Sequence, residues 1–407
     1  MKSLRILIAL LSSHATCAYT AASHHQCAHA QQHILSDQLS LCHDATQASQ
    51  SGVTDHFTNP SWSHRPFCIS KAGTEYCSHT TANFRTNHGL SIISTPAAAN
   101  AISFAFPHAE SARHVSTEHL DVRLIPGKGY GLVATQPIAK GETILLDAPR
   151  IIASAQFPAH VLHGQGALLF AQALERLPAK DQELVRGLDK SLGGTDIEDV
   201  MKTNAFACQL SDGGEDDAYM CLFPSVARIN HACRPNAHAR FIPKTLLMEV
   251  KALRDIGVNE EIGISYGRVD LKYAERQRLY KDGWNFSCSC DICTATEYAI
   301  AGSDQRRARF TQLRKKLEGL TSETYDAQQI VAWEKEVMDL SAKEGLDVLL
   351  VADYERLAYV YAGHGMIRDA KLWAEKAKET LLEWTAVDGG PNNEVLRIDE
   401  LLRELKG

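Results

Sequence analysis

The spacing of apolar and polar positions changes several times along the 407 residues. Residues 23–60 are rich in His, Gln, Ser and Thr with little periodicity, which predicts a poorly ordered linker. Residues 61–118 predict a small β-rich N-terminal module. In SWSHRPFCISKAGTEYC, short strands flank Lys71-Ala72-Gly73, a hairpin that sets Cys68 across from Cys77. The run GLSIISTP predicts a strand ending in a turn. Over 120–152 the order is strand, glycine-rich turn, strand, strand. Val122, Leu124, Leu132 and Val133 are the apolar strand positions, and Pro126-Gly127 and Lys140-Gly141 are turn signals. The period then switches: Leu162, Leu168, Leu169, Ala173, Leu174 and Leu177 recur at helical spacing, a helical insertion over about 155–210. Asp181 is expected to start a second helix that Gly193-Gly194 stops, and DGGEDD (212–217) to form a loop.

Residues 221–267 return to strands and turns. LKYAERQRLYKDG (271–283) predicts a charged helix stopped by Gly283. Residues 299–407 read helical throughout. Within them Leu357, Ala358, Tyr361, Ala370, Ala374 and Ala377 fit one tetratricopeptide-type unit and equally a plain helical hairpin.

Composition narrows the class. Apolar residues at 44% and charged residues at 22% are ordinary for a globular chain that buries a sizeable core. A net charge of −7 leaves no basic footprint for nucleic acid and suits a basic peptide better. The start is signal-like over 1–22: Lys2 and Arg5, the apolar run Ile6 to Leu11, then small residues at Ala18 to Ala22. The other reading is a disordered N-terminus. The run is too short to span a bilayer, and no other segment is long and apolar enough. If the chain is exported, a Cys68–Cys77 disulfide is expected; in the cytosol both are ordinary thiols.

The sharpest chemical signal is C-x-C-x-x-C at Cys288, Cys290 and Cys293. Zinc takes four thiolate or imidazole ligands in a tetrahedron, and tight spacing supplies them. Three are local, and Cys233 in RINHACRPNA is the candidate fourth. With all positions filled by protein, such a zinc is structural rather than catalytic. The plainer alternative is reduced or disulfide-paired cysteines. Three weaker signals accompany it: GKGYG (127–131), Asn230-His231 ahead of Cys233 and Asn236, and EEIGISYG (260–267), a strand ending near Tyr266. Taken singly, these read as a common turn, a turn pair and a core tyrosine.

In this order the four motifs resemble the SET-domain protein methyltransferases, over Leu120 to Cys293. The lead-in LFPSVARINHAC and the helical C-terminal region resemble the SET/MYND subgroup, and the N-terminal module resembles a group of fungal SET proteins. In that subgroup a cysteine-rich MYND finger interrupts the domain early. Residues 151–207 here hold no cysteine, so a subgroup form lacking the finger is expected. Phe223 stands where the subgroup usually has tyrosine, and Tyr130 is larger than the usual residue in the turn.

The resemblance implies a mainly β SET fold, small sheets around a knot-like core. It would span 119–267 with the helical insertion, followed by a post-SET zinc segment at 268–298 and an all-α, TPR-like domain from 299. It implies S-adenosylmethionine as cofactor, held by Lys128, Gly129, Tyr130, Asn204, Asn230, His231 and Phe286, with Tyr266 at the methyl-transfer centre. It implies one structural zinc on Cys233, Cys288, Cys290 and Cys293, and a protein substrate carrying the target lysine. It points to nucleus or cytoplasm, against the signal-like start. The rival is a non-catalytic scaffold that binds a partner through its C-terminal helices. A secreted, cysteine-stapled protein is a third reading.

Overall fold

The computed structural model describes residues 61–406 apart from 72, 86–87, 211–217 and 385–392. The signal-like start, the 23–60 linker and the 212–217 loop lie outside the described residues.

Three antiparallel-linked strands open the fold: β1 (Phe67–Lys71), β2 (Thr74–Arg85) and β3 (His88–Ser94). The hairpin forms as expected, with Cys68 registered against Cys77 and the two joined in a disulfide. β4 (Leu120–Ile125) and β5 (Gly129–Ala134) form a two-stranded ribbon around the glycine turn. β6 (Thr143–Asp147), β7 (Ile151–Ser154), β8 (Phe206–Gln209) and β9 (Ala218–Leu222) follow. Then come β10 (Asn230–His231), β11 (Ala237–Ile242), β12 (Leu247–Ala252) and β13 (Gly263–Ile264).

The segment 61–118 does not stand apart as a module. β3 pairs in parallel with β7, giving one six-stranded sheet in the order β1-β2-β3-β7-β9-β8. This sheet is covered on both faces, which is why its central strands read as continuous apolar runs. Alternation survives in three dimensions: Leu90, Ile92, Ile152 and Cys221 enter one core, while Ile93, Ile151, Ala153, Met220 and Leu222 enter another. The first core also takes the three-stranded β11-β12-β6 sheet. The second takes the insertion helices His163–Glu175, Ala179–Arg186 and Asp196–Asn204.

Local expectations are revised at four places. GLSIISTP ends not in a turn but at a helix start: Thr95 caps Pro96–Ser103 by accepting from Ala98 N at 3.3 Å, with proline in the first turn where no N–H is needed. The second helix starts two residues before Asp181, at Ala179, and Asp181, in its first turn, is buried, accepts from Gly89 N at 2.7 Å, and pairs with Arg150 at 2.6 Å. Its helix ends at Arg186 with Gly187 as cap, ahead of Gly193. The charged helix runs Tyr273–Trp284 through Gly283 and stops at Asn285, which is left-handed at φ 56°. The insertion closes with a strand, β8, rather than a helix.

Beyond the cysteine run, Glu297–Glu318, Ala327–Glu344, Val351–Gly363, Ile367–Trp384 and Asn393–Glu404 share one core. Ala370, Ala374 and Ala377 are fully buried there, small residues that let neighbouring helices approach closely. Among the described residues no helix is long and apolar enough to cross a membrane.

Candidate active site and thiol cluster

The site is built where two distant segments cross. β10 and β13 pair in parallel, Asn230 against Gly263 and His231 against Ile264. Gly263 is required by the closeness of that crossing, since a Cβ there would lie 2.9 Å from Cβ of Ala232. Asn236 locks it from the side: its Oδ1 accepts from Gly263 N and its Nδ2 donates to Glu261 O, both at 2.8 Å.

Glu261 then gathers the cofactor candidates. Its carboxylate accepts from Lys128 Nζ at 2.7 Å and from Asn230 Nδ2 at 2.9 Å. One acid thus ties the glycine turn to the Asn-His segment. Gly129 opens β5 at φ +76°, a backbone state that suits glycine. Gly131 has a different role: a Cβ there would sit 2.7 Å from Asn230 Nδ2 and 2.7 Å from Ile125 Cγ1. Tyr130 is exposed, with the Arg228 guanidinium 5.8 Å from its ring centre.

His231, Tyr266, Tyr280, Trp284 and Phe286 form one aromatic cluster. Tyr266 lies 5.5 Å from His231, 5.2 Å from Trp284 and 6.2 Å edge-on from Phe286, and Phe286 stacks on Tyr280 at 5.4 Å. The Tyr266 hydroxyl donates to Ile229 O at 2.8 Å, and its backbone N–H donates to His231 Nδ1 at 3.2 Å. That bond leaves the His231 proton on Nε2, which faces Cys233 Sγ at 3.2 Å. Burial pushes His231 down to about 3, so the ring is neutral. Burial first, then the Asp189 and Glu261 carboxylates, push the Tyr266 phenol well above its usual value. It stays protonated, able to donate and position but not to act as a general base at neutral pH.

Among the expected residues, Lys128 and Asn230 therefore meet at Glu261, with Gly129 next to Lys128 in the turn, and His231, Tyr266 and Phe286 meet in the aromatic cluster. Asn204 stands differently. Its amide donates to Asp189 O and Val200 O, both at 2.8 Å, so it shapes the Asp189 segment. Sequence reasoning quoted the motifs that hold Glu261, Gly131 and Asn236 but gave these residues no role, and it did not single out Tyr280. The Glu261 signal lay in EEIGISYG, an acid placed where the strand pattern favours an apolar residue.

Directly behind His231 lie the four thiols. Cys233 Sγ is 3.7 Å from that of Cys288 and 3.6 Å from that of Cys293, and all four sulfurs, Cys290 included, fall within 4.8 Å of one another. A tetrahedral zinc with bonds of about 2.3 Å holds its sulfurs about 3.8 Å apart, so the donor set fits that ion. Crowding makes joint ionisation unfavourable: Cys233 is pushed up by its three sulfur neighbours while Cys290 is pushed down by the same contacts; a divalent cation removes that conflict. Gln277 clamps the knuckle, accepting from Cys288 N and donating to Cys288 O, both at 2.9 Å.

Comparison with known proteins agrees with this geometry. Residues 129–267 match the SET domain family, so the chain carries a SET domain over that span. Several of its relatives are named lysine methyltransferases. The histone-lysine N-methyltransferase set5 of Schizosaccharomyces pombe is 24% identical over 67% of this chain and 81% of its own length. N-lysine methyltransferase SMYD2-A of Danio rerio is 32% identical over 29% of this chain. Histone-lysine N-methyltransferase SMYD3 of Homo sapiens is 32% identical over 24% of this chain. The chain spans about a quarter of those two SMYD proteins, 25% and 23% of their lengths.

Proposed function

We propose that this protein transfers methyl groups from S-adenosylmethionine to lysine side chains of a protein substrate. The observation that carries the reading is the meeting of Asn230, His231, Tyr266 and Phe286 at the β10–β13 crossing, in a chain several of whose relatives are named lysine methyltransferases.

When bound, the cofactor supplies an activated methyl group. Lys128, Gly129, Tyr130, Asn230, His231 and Phe286 are the residues we assign to hold it, with Asn204 shaping the neighbouring Asp189 loop. The cradle suits such a molecule: glycine backbone at Gly129 and Gly131, an amide at Asn230, and an aromatic face at Phe286. Tyr266 is the residue we place at the methyl-transfer centre. Its phenol is held neutral and aimed by the bond to Ile229 O, so it contributes by orienting the acceptor amine. The amine must arrive uncharged, at a cost of roughly 4 kcal/mol for a free lysine at neutral pH. The partly buried rings of Tyr266, Trp284 and Phe286 lower that cost by disfavouring a solvated ammonium. The thiol cluster, loaded with one zinc, fixes the segment that carries Phe286. No nucleic acid is needed as partner.

Calorimetry on the zinc-loaded full chain tests this. One site for S-adenosylmethionine is expected, weakened at least about tenfold by Asn230→Ala, the loss of roughly one charge-assisted hydrogen bond. Absence of binding by the wild type would refute the reading and leave the two non-catalytic ones, the scaffold and the secreted, cysteine-stapled protein.

A further inference from the structure

The loop between the second and third insertion helices, residues 187–195, is fastened to the cleft by side chains from several elements. Arg228 Nη2 donates to Gly187 O at 2.7 Å, and Asn204 Nδ2 donates to Asp189 O at 2.8 Å. The Asp199 carboxylate accepts from the N–H groups of Ser191, Leu192 and Gly193 at 3.0, 2.8 and 2.9 Å. Ser191 Oγ donates to Trp284 O at 3.0 Å, which sets the loop against the aromatic cluster. These bonds fix the backbone on both sides of Asp189 and leave its side chain free. Among the described residues, the Asp189 carboxylate has no hydrogen-bond or ion-pair partner. A Cβ built on Gly129 would lie 3.9 Å from Asp189 Oδ2, so the carboxylate stands beside the glycine turn. The Tyr266 phenol also feels its charge. The other acids here are answered: Glu261 accepts from Lys128 and Asn230, and Asp196 pairs with Lys190 at 3.2 Å. Arg228 bonds neutral partners, Gly187 O and the Tyr130 ring, and makes no ion pair.

We propose that Asp189 is the counter-charge of the cationic cofactor, and that it distinguishes S-adenosylmethionine from the product left after methyl transfer. This rests on the function proposed above. S-adenosylmethionine has a sulfonium and an ammonium against one carboxylate, a net positive charge. S-adenosylhomocysteine keeps the ammonium and the carboxylate but has a neutral sulfur. In the transfer, the amine lone pair forms the new N–CH₃ bond and the S–CH₃ bonding pair returns to sulfur. The positive charge thus passes from sulfur to the lysine nitrogen. A fixed carboxylate at the turn attracts the charged cofactor more than the neutral product. Loading is therefore favoured over retention of product. Because the loop is already fastened, Asp189 is held in place before the cofactor arrives, and little ordering is needed on binding.

The test is calorimetry on the full, zinc-loaded chain with the two ligands, S-adenosylmethionine and S-adenosylhomocysteine. Asp189→Asn should weaken S-adenosylmethionine about fivefold, as for a charge pair at the edge of solvent, and leave S-adenosylhomocysteine within about twofold. Asp196→Asn, which removes another exposed acid next to the same loop, should leave both affinities at the wild-type values. Should Asp189→Asn fail to fold, the wild type alone decides: added salt should weaken S-adenosylmethionine more than S-adenosylhomocysteine. Equal weakening of both ligands by Asp189→Asn, an unchanged affinity for S-adenosylmethionine, or the same salt dependence for both would overturn the proposal. A wild type that binds neither ligand would instead overturn the functional reading on which it rests.

Discussion

Gly131→Ala probes the site with a single methyl group. The residue has an ordinary negative-φ backbone, so glycine is there for space. The new Cβ would meet Asn230 Nδ2 and Ile125 Cγ1 at 2.7 Å each and Glu261 Oε1 at 3.1 Å. Comfortable heavy-atom contact is about 3.5 Å or more, so roughly 0.8 Å must be found. Ile125 can give by turning its side chain; Asn230 can give only by leaving Glu261. Overpacking costs about 1–3 kcal/mol of stability. Losing a hydrogen bond to a charged partner weakens the site by about 1.5–3 kcal/mol, roughly 10–100-fold in cofactor affinity. Gly129→Ala is the control. It is strained by its positive φ, about 1–2 kcal/mol, but its nearest neighbour is Asp189 Oδ2 at 3.9 Å, so Asn230 stays in place. Thermal unfolding and calorimetry should therefore separate the two, with both losing stability and Gly131→Ala losing the larger share of affinity. Wild-type affinity in Gly131→Ala would refute the role given to the Asn230–Glu261 contact.

Two further perturbations address the framework. Arg150→Met leaves the buried Asp181 without its cation; about 3–5 kcal/mol of stability should be lost in denaturant unfolding, and a loss under 1 kcal/mol would contradict the pairing. Burial pushes Asp181 up, but the bond to His88 at 3.1 Å, then Arg150 and Gly89 N–H, hold it down to about 2, so its contribution is complete above pH 4 and is lost as pH falls toward 2. His79 is buried against Trp62 at 5.1 Å with neither ring nitrogen bonded, and burial lowers it to about 4 from 6.5. The unfolded chain takes up that proton first as pH falls, so His79 removes stability between about pH 6.5 and 4, at most about 1.4 kcal/mol per unit. His79→Leu should flatten that slope; an unchanged slope would show that the ring is protonated or solvated when folded.

Much of the site was legible because its chemistry demands rare residues at fixed spacing. Cys288, Cys290 and Cys293 signalled a metal knuckle, and Cys233 joined them in space as expected. The GKGYG turn, Asn230-His231 and Tyr266 likewise came together. What stayed hidden was long-range. The β3–β7 pairing joins residues some 60 positions apart, and nothing local in GLSIISTP reveals its partner, so 61–118 read as a module of its own. Glu261 bonds Lys128 across 133 positions and Asn230 across 31, and in the sequence it is one of two adjacent acids. Asp181 marked the start of its helix to within two residues, but its buried pairing stayed hidden because Gly89 and Arg150, its partners, are distant in the chain.

The central claim is that the crossing of β10 and β13 builds a cleft in which Tyr266 orients a lysine for methylation. Its most direct test is to incubate zinc-loaded wild type and Tyr266→Phe with a protein lysate and labelled S-adenosylmethionine, then identify labelled residues by mass spectrometry. The variant loses one hydrogen bond, to Ile229 O, so its stability should fall by only about 0.5–1.5 kcal/mol. The account predicts methyllysine with the wild type and at least about a hundredfold less with the folded variant. Equal label from both proteins, or none from a wild type that binds the cofactor, would contradict it.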